Sequence, residues 1–263
     1  MKLVMTLITI YAVVVIAMTL GQRRLMYFPH TSLLAPMEYG LAQVEAAKLE
    51  TADGESLDIW RLAPKDDMPT ILYFHGNGGH LGFRTHFFQA AQQVGYGVMM
   101  VSYRGYGKST GSPSEQGFYA DAKAAYVHLR QSVAEEQIIL FGESIGTGVV
   151  MELARGKSVR AVVLQAPFTS AVQLASEIYP WLPVKMVMKD RFDSISKVSD
   201  VKAPVLVLAA REDYIVPLAH SQALFEALDG PKDMVVFDGI GHNDFDPSQV
   251  LKQLARYESA MVP

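Results

Sequence analysis

The sequence contains no cysteine among its 263 residues. This absence excludes disulfide bonds, thiolate nucleophiles and cysteine-ligated metal sites, so any nucleophile must be oxygen or nitrogen. The absence of cysteine does not predict the redox compartment, because a chain without thiols tolerates both oxidising and reducing conditions. The chain also lacks a run of five or more basic residues, and 23 Lys and Arg against 27 Asp and Glu give a formal charge of −4. We therefore expect no nucleic-acid partner.

Internal repeats, low-complexity tracts and long linkers are absent as well. Half of the residues are apolar and 19% are charged, which is typical of a globular chain with an ample core and not of a disordered one. The length fits one large α/β domain.

One stretch of the chain, residues 3–20, is apolar and carries no charge. As a helix it would be ~27 Å long, close to the hydrocarbon thickness of a bilayer. Arg23 and Arg24 end the stretch, and the aromatic residues Tyr27 and Phe28 follow, as is typical of a membrane interface.

We predict from this stretch a single-pass membrane anchor over residues 1–22, followed by a folded domain over residues 23–263. Two alternatives are a cleaved signal peptide, although the apolar run exceeds the usual length, and a buried core helix. The basic charges on the two sides of the run balance, so the pattern does not predict the side of the membrane.

Downstream of the apolar stretch, strand patterns alternate with helix patterns. Runs rich in Val, Ile and Leu predict buried strands at 71–74, 98–102, 138–141, 161–164, 205–209 and 234–237. Helical periodicity predicts helices at 83–94, 115–131, 147–157, 218–228 and 249–257.

This alternation predicts a mostly parallel, doubly wound sheet with helices on both faces. Residues 44–50 and 57–62 flank Asp53-Gly54, which indicates an antiparallel hairpin ahead of the parallel strands. Residues 168–201 are too many for one crossover and contain Pro180-Trp181-Leu182-Pro183, so we predict a short cap insertion there.

A nucleophile is indicated where the predicted strand 138–141 runs into Gly142-Glu-Ser144-Ile-Gly146 and then into a helix. A Gly-x-Ser-x-Gly sequence between a buried strand and a helix is typical of a nucleophile elbow, in which tight packing demands glycine on both sides of the serine. We predict Ser144 as the catalytic nucleophile, at a helix N-terminus that favours developing negative charge.

Activation of Ser144 requires a histidine and a carboxylate, which follow such a serine in the order acid, then histidine. Of the two later histidines, His242 follows the last predicted strand in a glycine-bearing loop, and we predict it as the base. His220 falls within a helical pattern and is expected to face solvent. The predicted acid is Asp213, just past the strand 205–209, with Glu212 as the alternative.

The oxyanion formed on attack by Ser144 needs fixed N–H donors. One prediction is the backbone N–H of Ile145, directly after the nucleophile. The second is that of Asn77, in the glycine-rich loop after the strand 71–74. His75 precedes this loop and is predicted to be structural. His75, His80 and His86 lack an accompanying carboxylate at ligand spacing, so we expect no metal and no cofactor.

Together these motifs resemble the α/β-hydrolase superfamily, and most closely its membrane-anchored Bem46-like branch, which includes acyl-protein thioesterase-like members. The motifs that carry the resemblance are His75-Gly-Asn-Gly-Gly, Ser102-Tyr-Arg-Gly-Tyr-Gly-Lys-Ser109, Gly142-Glu-Ser-Ile-Gly146, Tyr179-Pro-Trp-Leu-Pro183 and Gly241-His242. The resemblance spans about residues 22–260. It implies the α/β-hydrolase fold, the triad Ser144, Asp213 and His242, and the oxyanion donors Asn77 and Ile145. Gly78 departs from the pattern, where a residue such as Ala is more usual.

The predicted function is a serine hydrolase of carboxylic esters or thioesters, acting on a small-molecule or lipid-like acyl substrate. Alternatives on the same fold are a serine peptidase, an acyltransferase and a non-catalytic membrane scaffold. Within the predicted cap, apolar side chains are expected to line an acyl pocket above Ser144, namely those of Trp181, Leu182, Met186 and Met188. The alternative is that these side chains only pack on the sheet edge.

Overall fold

The computed structural model describes residues 1–261. The strands are β1 (Phe28–Pro29), β2 (Val44–Glu50), β3 (Ser56–Leu62), β4 (Thr70–Phe74), β5 (Gly78–Gly79), β6 (Gly97–Val101), β7 (Ile138–Glu143), β8 (Ala161–Gln165), β9 (Val205–Ala210) and β10 (Lys232–Phe237). The α-helices are α1 (Lys2–Met26), α2 (Thr85–Val94), α3 (Glu115–Leu129), α4 (Ile145–Leu153), α5 (Ala171–Ile178), α6 (Val184–Val187), α7 (Leu218–Ala227) and α8 (Pro247–Met261).

The centre of the fold is an eight-stranded sheet with the order β10-β9-β8-β7-β4-β6-β3-β2. Among these strands β3 runs against its neighbours, pairing antiparallel with β2 and β6, and the remaining pairs are parallel. The predicted mostly parallel sheet with a leading antiparallel hairpin is therefore confirmed.

The inner strands are buried on both faces, which explains their continuous apolar runs. Every residue of β4, β6, β8 and β9 is buried. Alternate side chains enter two separate cores: Leu72 and Leu140 pack on the side of α3 and α4, whereas Ile71 and Ile139 pack on the side of α2 and α8. The sheet is thus the middle of three layers.

Helices α4 and α2 differ from their predicted bounds for local reasons. The helix predicted at 147–157 begins earlier, at Ile145, because the elbow turn leads directly into it, and it ends earlier, before Gly156 adopts a left-handed φ of 65°. The helix predicted at 83–94 begins at Thr85 and is preceded by a 3₁₀ turn over Leu81–Arg84. The His80 ring caps that turn by accepting a hydrogen bond from the Gly82 N–H.

Residues 168–201 connect β8 to β9 and contain α5, α6 and a 3₁₀ turn over Ile195–Asp200. Prolines separate the two helices: α5 ends at Ile178, and α6 begins after Pro183. The segment lies over the end of the sheet at which Ser144 is located, since it and Ser144 line the same cleft.

Helix α1 is long and apolar enough to cross a membrane, and it is the one such helix among residues 1–261. None of its residues is buried, so the core-helix alternative is wrong. The helix continues without a break past residue 22 to Met26 and ends where Tyr27 turns extended and enters the core. The predicted boundary between residues 22 and 23 therefore falls inside a continuous helix.

Candidate active site

Ser144 occupies the turn between β7 and α4 in a strained conformation, with φ 53° and ψ −116°. Such a conformation is rare for a residue with a side chain and persists where surrounding contacts hold it. Here the Ser144 N–H donates to the Gln165 carbonyl at 2.8 Å, and the Ser144 carbonyl accepts from the N–H and the hydroxyl of Thr147. These bonds fix the serine between two strands and a helix.

The two flanking glycines are required by close backbone approach. A Cβ on Gly146 would lie 2.1 Å from the Phe74 carbonyl oxygen, and one on Gly142 would lie 2.6 Å from the Gly146 carbonyl oxygen. The Phe74 carbonyl belongs to β4 and the Gly146 carbonyl to α4, and neither can move aside without disturbing its element, so both positions exclude any larger residue.

His242 and Asp213 lie beside Ser144 in one hydrogen-bonded series. The His242 Nε2 is 2.9 Å from the Ser144 Oγ, and its Nδ1 is 2.6 Å from the Asp213 Oδ2. A carboxylate on Nδ1 fixes the tautomer in which Nε2 is free to accept a proton. The structure therefore brings together the three residues that the sequence predicted as a triad.

Asp213 is held at the carboxyl end of β9 by the turn that follows. Its Oδ1 accepts hydrogen bonds from the Ile215 and Val216 N–H groups at 2.8 and 2.7 Å, and its side chain is 1% exposed. Glu212 points elsewhere: its carboxylate accepts from the Gly239 N–H at 2.8 Å and so supports the loop that carries His242.

His220 does not face solvent, as the sequence had suggested, so that prediction is wrong. The residue is 3% exposed. Its Nδ1 is 2.9 Å from the Thr169 hydroxyl, and its Nε2 is 3.0 Å from the Glu177 carboxylate. Helix α7 packs against the 168–201 segment, so His220 lies in an internal contact between the two.

The predicted oxyanion donors, Asn77 and Ile145, line the cleft next to Ser144. Ile145 is the first residue of α4, where a backbone N–H has no partner within the helix. The Asn77 carbonyl accepts from the Tyr106 hydroxyl at 2.6 Å and from the Phe28 N–H at 3.3 Å, which ties the loop to neighbouring segments.

His75 is buried below this loop. Its Nδ1 is 2.7 Å from the Gly76 carbonyl, which belongs to the same peptide plane as the Asn77 N–H. Complete burial, aided by the positive charge of Arg84, lowers the pKa of His75 to about 3, so the ring is neutral at physiological pH. Among residues 1–261, no group of three or more potential ligand side chains is arranged to hold a metal ion.

A mostly buried ionic cluster next to Ser144 was missed at the sequence level. Arg84 reaches Glu143, the residue before the nucleophile, at 2.7 Å, and Tyr73 donates to the same carboxylate at 2.6 Å. Burial would raise the pKa of Glu143, but the charge and hydrogen bonds of Arg84 lower it to about 2. The one sequence signal for this cluster was the glycine at position 76. A Cβ on Gly76 would lie 2.7 Å from the Glu143 carboxylate, so the glycine leaves space for that side chain.

An apolar cleft of about 300 Å³ opens from Ser144 beneath the 168–201 segment. Leu182 and Met188 line it, as predicted, together with Leu174 and Val187. Trp181 and Met186 do not line it, so that part of the prediction is wrong.

Trp181 and Met186 are 52% and 86% exposed. The single turn of α6 directs Val184 and Val187 inward and therefore Met186 outward. The opposite wall is formed by α1, which sequence reasoning treated only as an anchor.

Comparisons with known proteins agree with this architecture. Residues 66–195 match a family model described as serine aminopeptidase, S33. The uncharacterized protein Rv2307c of Mycobacterium tuberculosis is 39% identical over 85% of this chain and 81% of its own length. Mouse α/β hydrolase domain-containing protein 17C is 33% identical over 89% of this chain and 74% of its own length.

Among solved structures, the Pyrococcus furiosus esterase Pf2001 superposes with a TM-score of 0.72 at 17% identity, covering 90% of this chain and 98% of that one. The Exiguobacterium antarcticum esterase EaEST superposes with a TM-score of 0.65 at 15% identity, covering 82% of this chain and 100% of that one. These likenesses establish the fold. The chain belongs to the α/β-hydrolase superfamily. Within it the chain is similar to the α/β hydrolase domain-containing proteins 17B and 17C, as the Bem46-like resemblance predicted.

Proposed function

We propose that this chain is a serine hydrolase that cleaves carboxylic esters or thioesters through an acyl-enzyme on Ser144. The observation that carries the proposal is the hydrogen-bonded series from Ser144 Oγ through His242 to Asp213. Esterase and hydrolase relatives support the general class of reaction.

In the first half of the reaction, Ser144 Oγ attacks the substrate carbonyl carbon while His242 Nε2 accepts the serine proton. Asp213 stabilises the imidazolium that forms. The carbonyl electrons move to oxygen, and the N–H groups of Ile145 and Asn77 stabilise this oxyanion. The intermediate then expels the alcohol or thiol, which takes the proton from His242, and leaves the acyl group on the serine.

In the second half, water attacks the acyl-enzyme with His242 again accepting the proton. Collapse of the second intermediate releases the carboxylic acid and returns Ser144 to its starting state. The complete cycle consumes one water molecule for each ester or thioester bond that is cleaved.

The lining of the cleft supports an acyl substrate. None of its lining residues among residues 1–261 carries a charge, and most are aliphatic. A peptidase that recognises a free amino terminus needs a carboxylate or carbonyl cluster to bind the ammonium group. The uncharged lining favours an acyl chain over such a peptide, although the matching family model is described as a serine aminopeptidase.

We also propose that the enzyme is located at a membrane. Helix α1 would anchor the chain in a membrane, residues 23–263 would form the catalytic domain, and residues 168–201 would act as its cap. The exposed apolar surface of α1 supports the membrane location, because water solvates such a surface poorly.

Labelling with a fluorophosphonate probe tests the proposed chemistry. The full chain should be labelled once, on Ser144, and Ser144→Ala should abolish labelling. Ser199→Ala, at an exposed serine, is the matched control and should label like the parent chain. Retained labelling in Ser144→Ala, or none in the parent, would refute the proposal.

A further inference from the structure

Helix α1 contributes one of its faces to the cleft that leads to Ser144. The cleft-lining residues of the helix recur at intervals of three and four, as one helical face requires: Val15, Met18, Thr19, Gln22, Leu25 and Met26. Between them Ile16, Ala17 and Leu20 are exposed on the other face. Each of the first thirteen residues is exposed.

Specific polar bonds hold α1 against the 168–201 segment. The Gln22 side-chain amide donates to the Val187 carbonyl at 3.2 Å and accepts from the Lys189 N–H at 2.7 Å. Arg23 makes two hydrogen bonds to Asp190, at 2.8 and 3.1 Å, and the Asp190 side chain is almost fully buried. A helix serving only as a tether needs none of these contacts, because a flexible connection would suffice.

A third contact lies further along the helix toward its amino end. The Tyr11 hydroxyl donates to the Trp181 carbonyl at 2.8 Å. Tyr11 is twelve residues from Arg23, so it lies ~18 Å along the helix from the Asp190 ion pair. The turn between α5 and α6 therefore extends beside the apolar part of α1.

The surface of that turn is itself apolar and exposed. Ile178, Tyr179, Trp181 and Met186 are all exposed, next to the exposed apolar face of α1. We define residues 178–186 as the cap tip. Lys185 is the one charged residue of the cap tip, and its long stem lets the ammonium group reach the lipid headgroups. A mainly apolar exposed surface of this kind is typical of a membrane contact, and an exposed Trp and Tyr suit the lipid interface.

We propose that α1 and the cap tip enter the bilayer together, and that the cleft between them receives the acyl chain of an ester directly from the lipid phase. The inference rests on the proposed function and specifies its substrate: an ester whose long acyl chain resides in the membrane. Val15, Met18 and Thr19 form the wall that the chain follows toward Ser144. The acyl chain thus reaches the nucleophile without crossing water.

Bulky substitutions on the two faces of α1 test the role of the wall. Met18→Trp fills the cleft side, whereas Leu20→Trp adds the same volume to the exposed side and serves as the matched control. The readout is the ratio of kcat/KM for a hexadecanoyl ester in phosphatidylcholine vesicles to kcat/KM for a soluble acetyl ester. Met18→Trp should lower this ratio about tenfold or more, and Leu20→Trp should leave it within about twofold.

An equal ratio in both variants would overturn the proposal that α1 lines the acyl site. Fluorophosphonate labelling of the same samples separates this failure from failure of the proposed function. Labelled protein with an unchanged ratio refutes only the wall, whereas unlabelled parent protein refutes the serine hydrolase itself.

Fluorescence tests the position of the cap tip without any change to the cleft. The chain has two tryptophans, and Trp60 is buried in the core while Trp181 is exposed. In vesicles containing doxyl-labelled phosphatidylcholine, emission of the parent chain should be quenched, and the residual emission of Trp181→Phe should not. Strong quenching by aqueous acrylamide with none by the doxyl lipid would place the tip in water and overturn the membrane contact.

Discussion

Arg84 connects Glu143, the residue before the nucleophile, to the loop that carries Asn77. Its Nη2 and Nε lie 2.7 and 3.1 Å from the two Glu143 carboxylate oxygens, and its Nη1 donates to the Gly78 carbonyl at 2.9 Å. One planar guanidinium thus sets the separation of the two backbone segments that are proposed to hold the oxyanion.

Replacing this guanidinium tests whether it positions the oxyanion donors. Arg84→Met should lower kcat by about 10- to 100-fold with a smaller effect on KM, because the displaced donors act mainly on the transition state. Arg84→Lys should restore part of the rate. The measurement is steady-state kinetics with a soluble ester.

Arg211→Met, which breaks an exposed ion pair with Asp238, is the control and should retain the parent kcat. A lower melting temperature for Arg84→Met with an unchanged kcat would show that the cluster serves stability alone.

The acid and its neighbour offer a matched pair of carboxylates. Asp213→Asn should reduce kcat by about 10⁴-fold, because His242 loses the acceptor that fixes its tautomer. Glu212→Gln should cost little, since Glu212 contacts the Gly239 backbone and not the imidazole. Single-turnover ester cleavage measures both variants. The opposite ranking would mean that Asp213 is not the acid.

Burial of His75 makes stability depend on pH. Its folded-state pKa is about 3, below the ordinary value of 6.5, so between these values the unfolded chain binds a proton that the folded chain does not. Stability should therefore be constant with respect to this group above pH 6.5. It should fall as pH drops toward 3, by up to about 1.4 kcal/mol per pH unit.

Unfolding in detergent at pH 7.5, 6 and 5 measures this slope. His75→Gln should make the slope shallower, whereas His86→Gln, at an exposed histidine, should not. A smaller slope of the same sign should remain, because burial also lowers the pKa of His80. Glu143 adds a second loss at lower pH, between its ordinary value near 4.5 and its folded pKa of about 2, because its stabilisation requires the charged carboxylate. A slope between pH 6.5 and 5 that is as steep in His75→Gln as in the parent chain would contradict the role of His75.

Adjacent arginines at the end of α1 provide another matched pair. Arg23 is paired with the buried Asp190, whereas Arg24 is exposed. Arg23→Gln should destabilise the folded chain by about 1–3 kcal/mol, because a buried carboxylate loses its charged partner. Arg24→Gln should have little effect. Thermal unfolding in detergent measures the stability of both variants. Equal melting temperatures for Arg23→Gln and Arg24→Gln would contradict a stabilising role of the ion pair.

The sequence was informative wherever a local pattern has one structural solution. The run from β7 through Ser144 into α4 specifies a strand, a tight turn and a helix, and Gly142 and Gly146 occupy the positions where a Cβ has no space. Likewise, Asp213 follows directly after a buried strand, which defines the edge of the sheet it must occupy.

The parts that were missed depend on contacts between distant segments. Helix α1 carries no charge between Leu3 and Gln22, so this stretch shows no preferred face in its sequence, and the partners of the helix, Val187 and Asp190, are about 165 residues away. The apolar character of Trp181 and Met186 was clear, but apolar side chains suit a cleft and a lipid surface equally well. His220 was misread because the sequence does not show that the helix carrying it packs against the predicted cap, where Thr169 and Glu177 contact the ring.

Helix α1 runs unbroken to Met26, and Tyr27 is buried in the core directly after it, so no linker separates the proposed anchor from the domain that carries the nucleophile. With the helix in a bilayer, the nucleophile is confined to a fixed height and orientation above one leaflet. Collision with substrate then becomes a two-dimensional process, governed by the mole fraction of the ester among the surrounding lipids and not by its bulk concentration. Addition of inert lipid at constant amounts of enzyme and ester would dilute the reaction, and a substrate carried by a different membrane would remain out of reach.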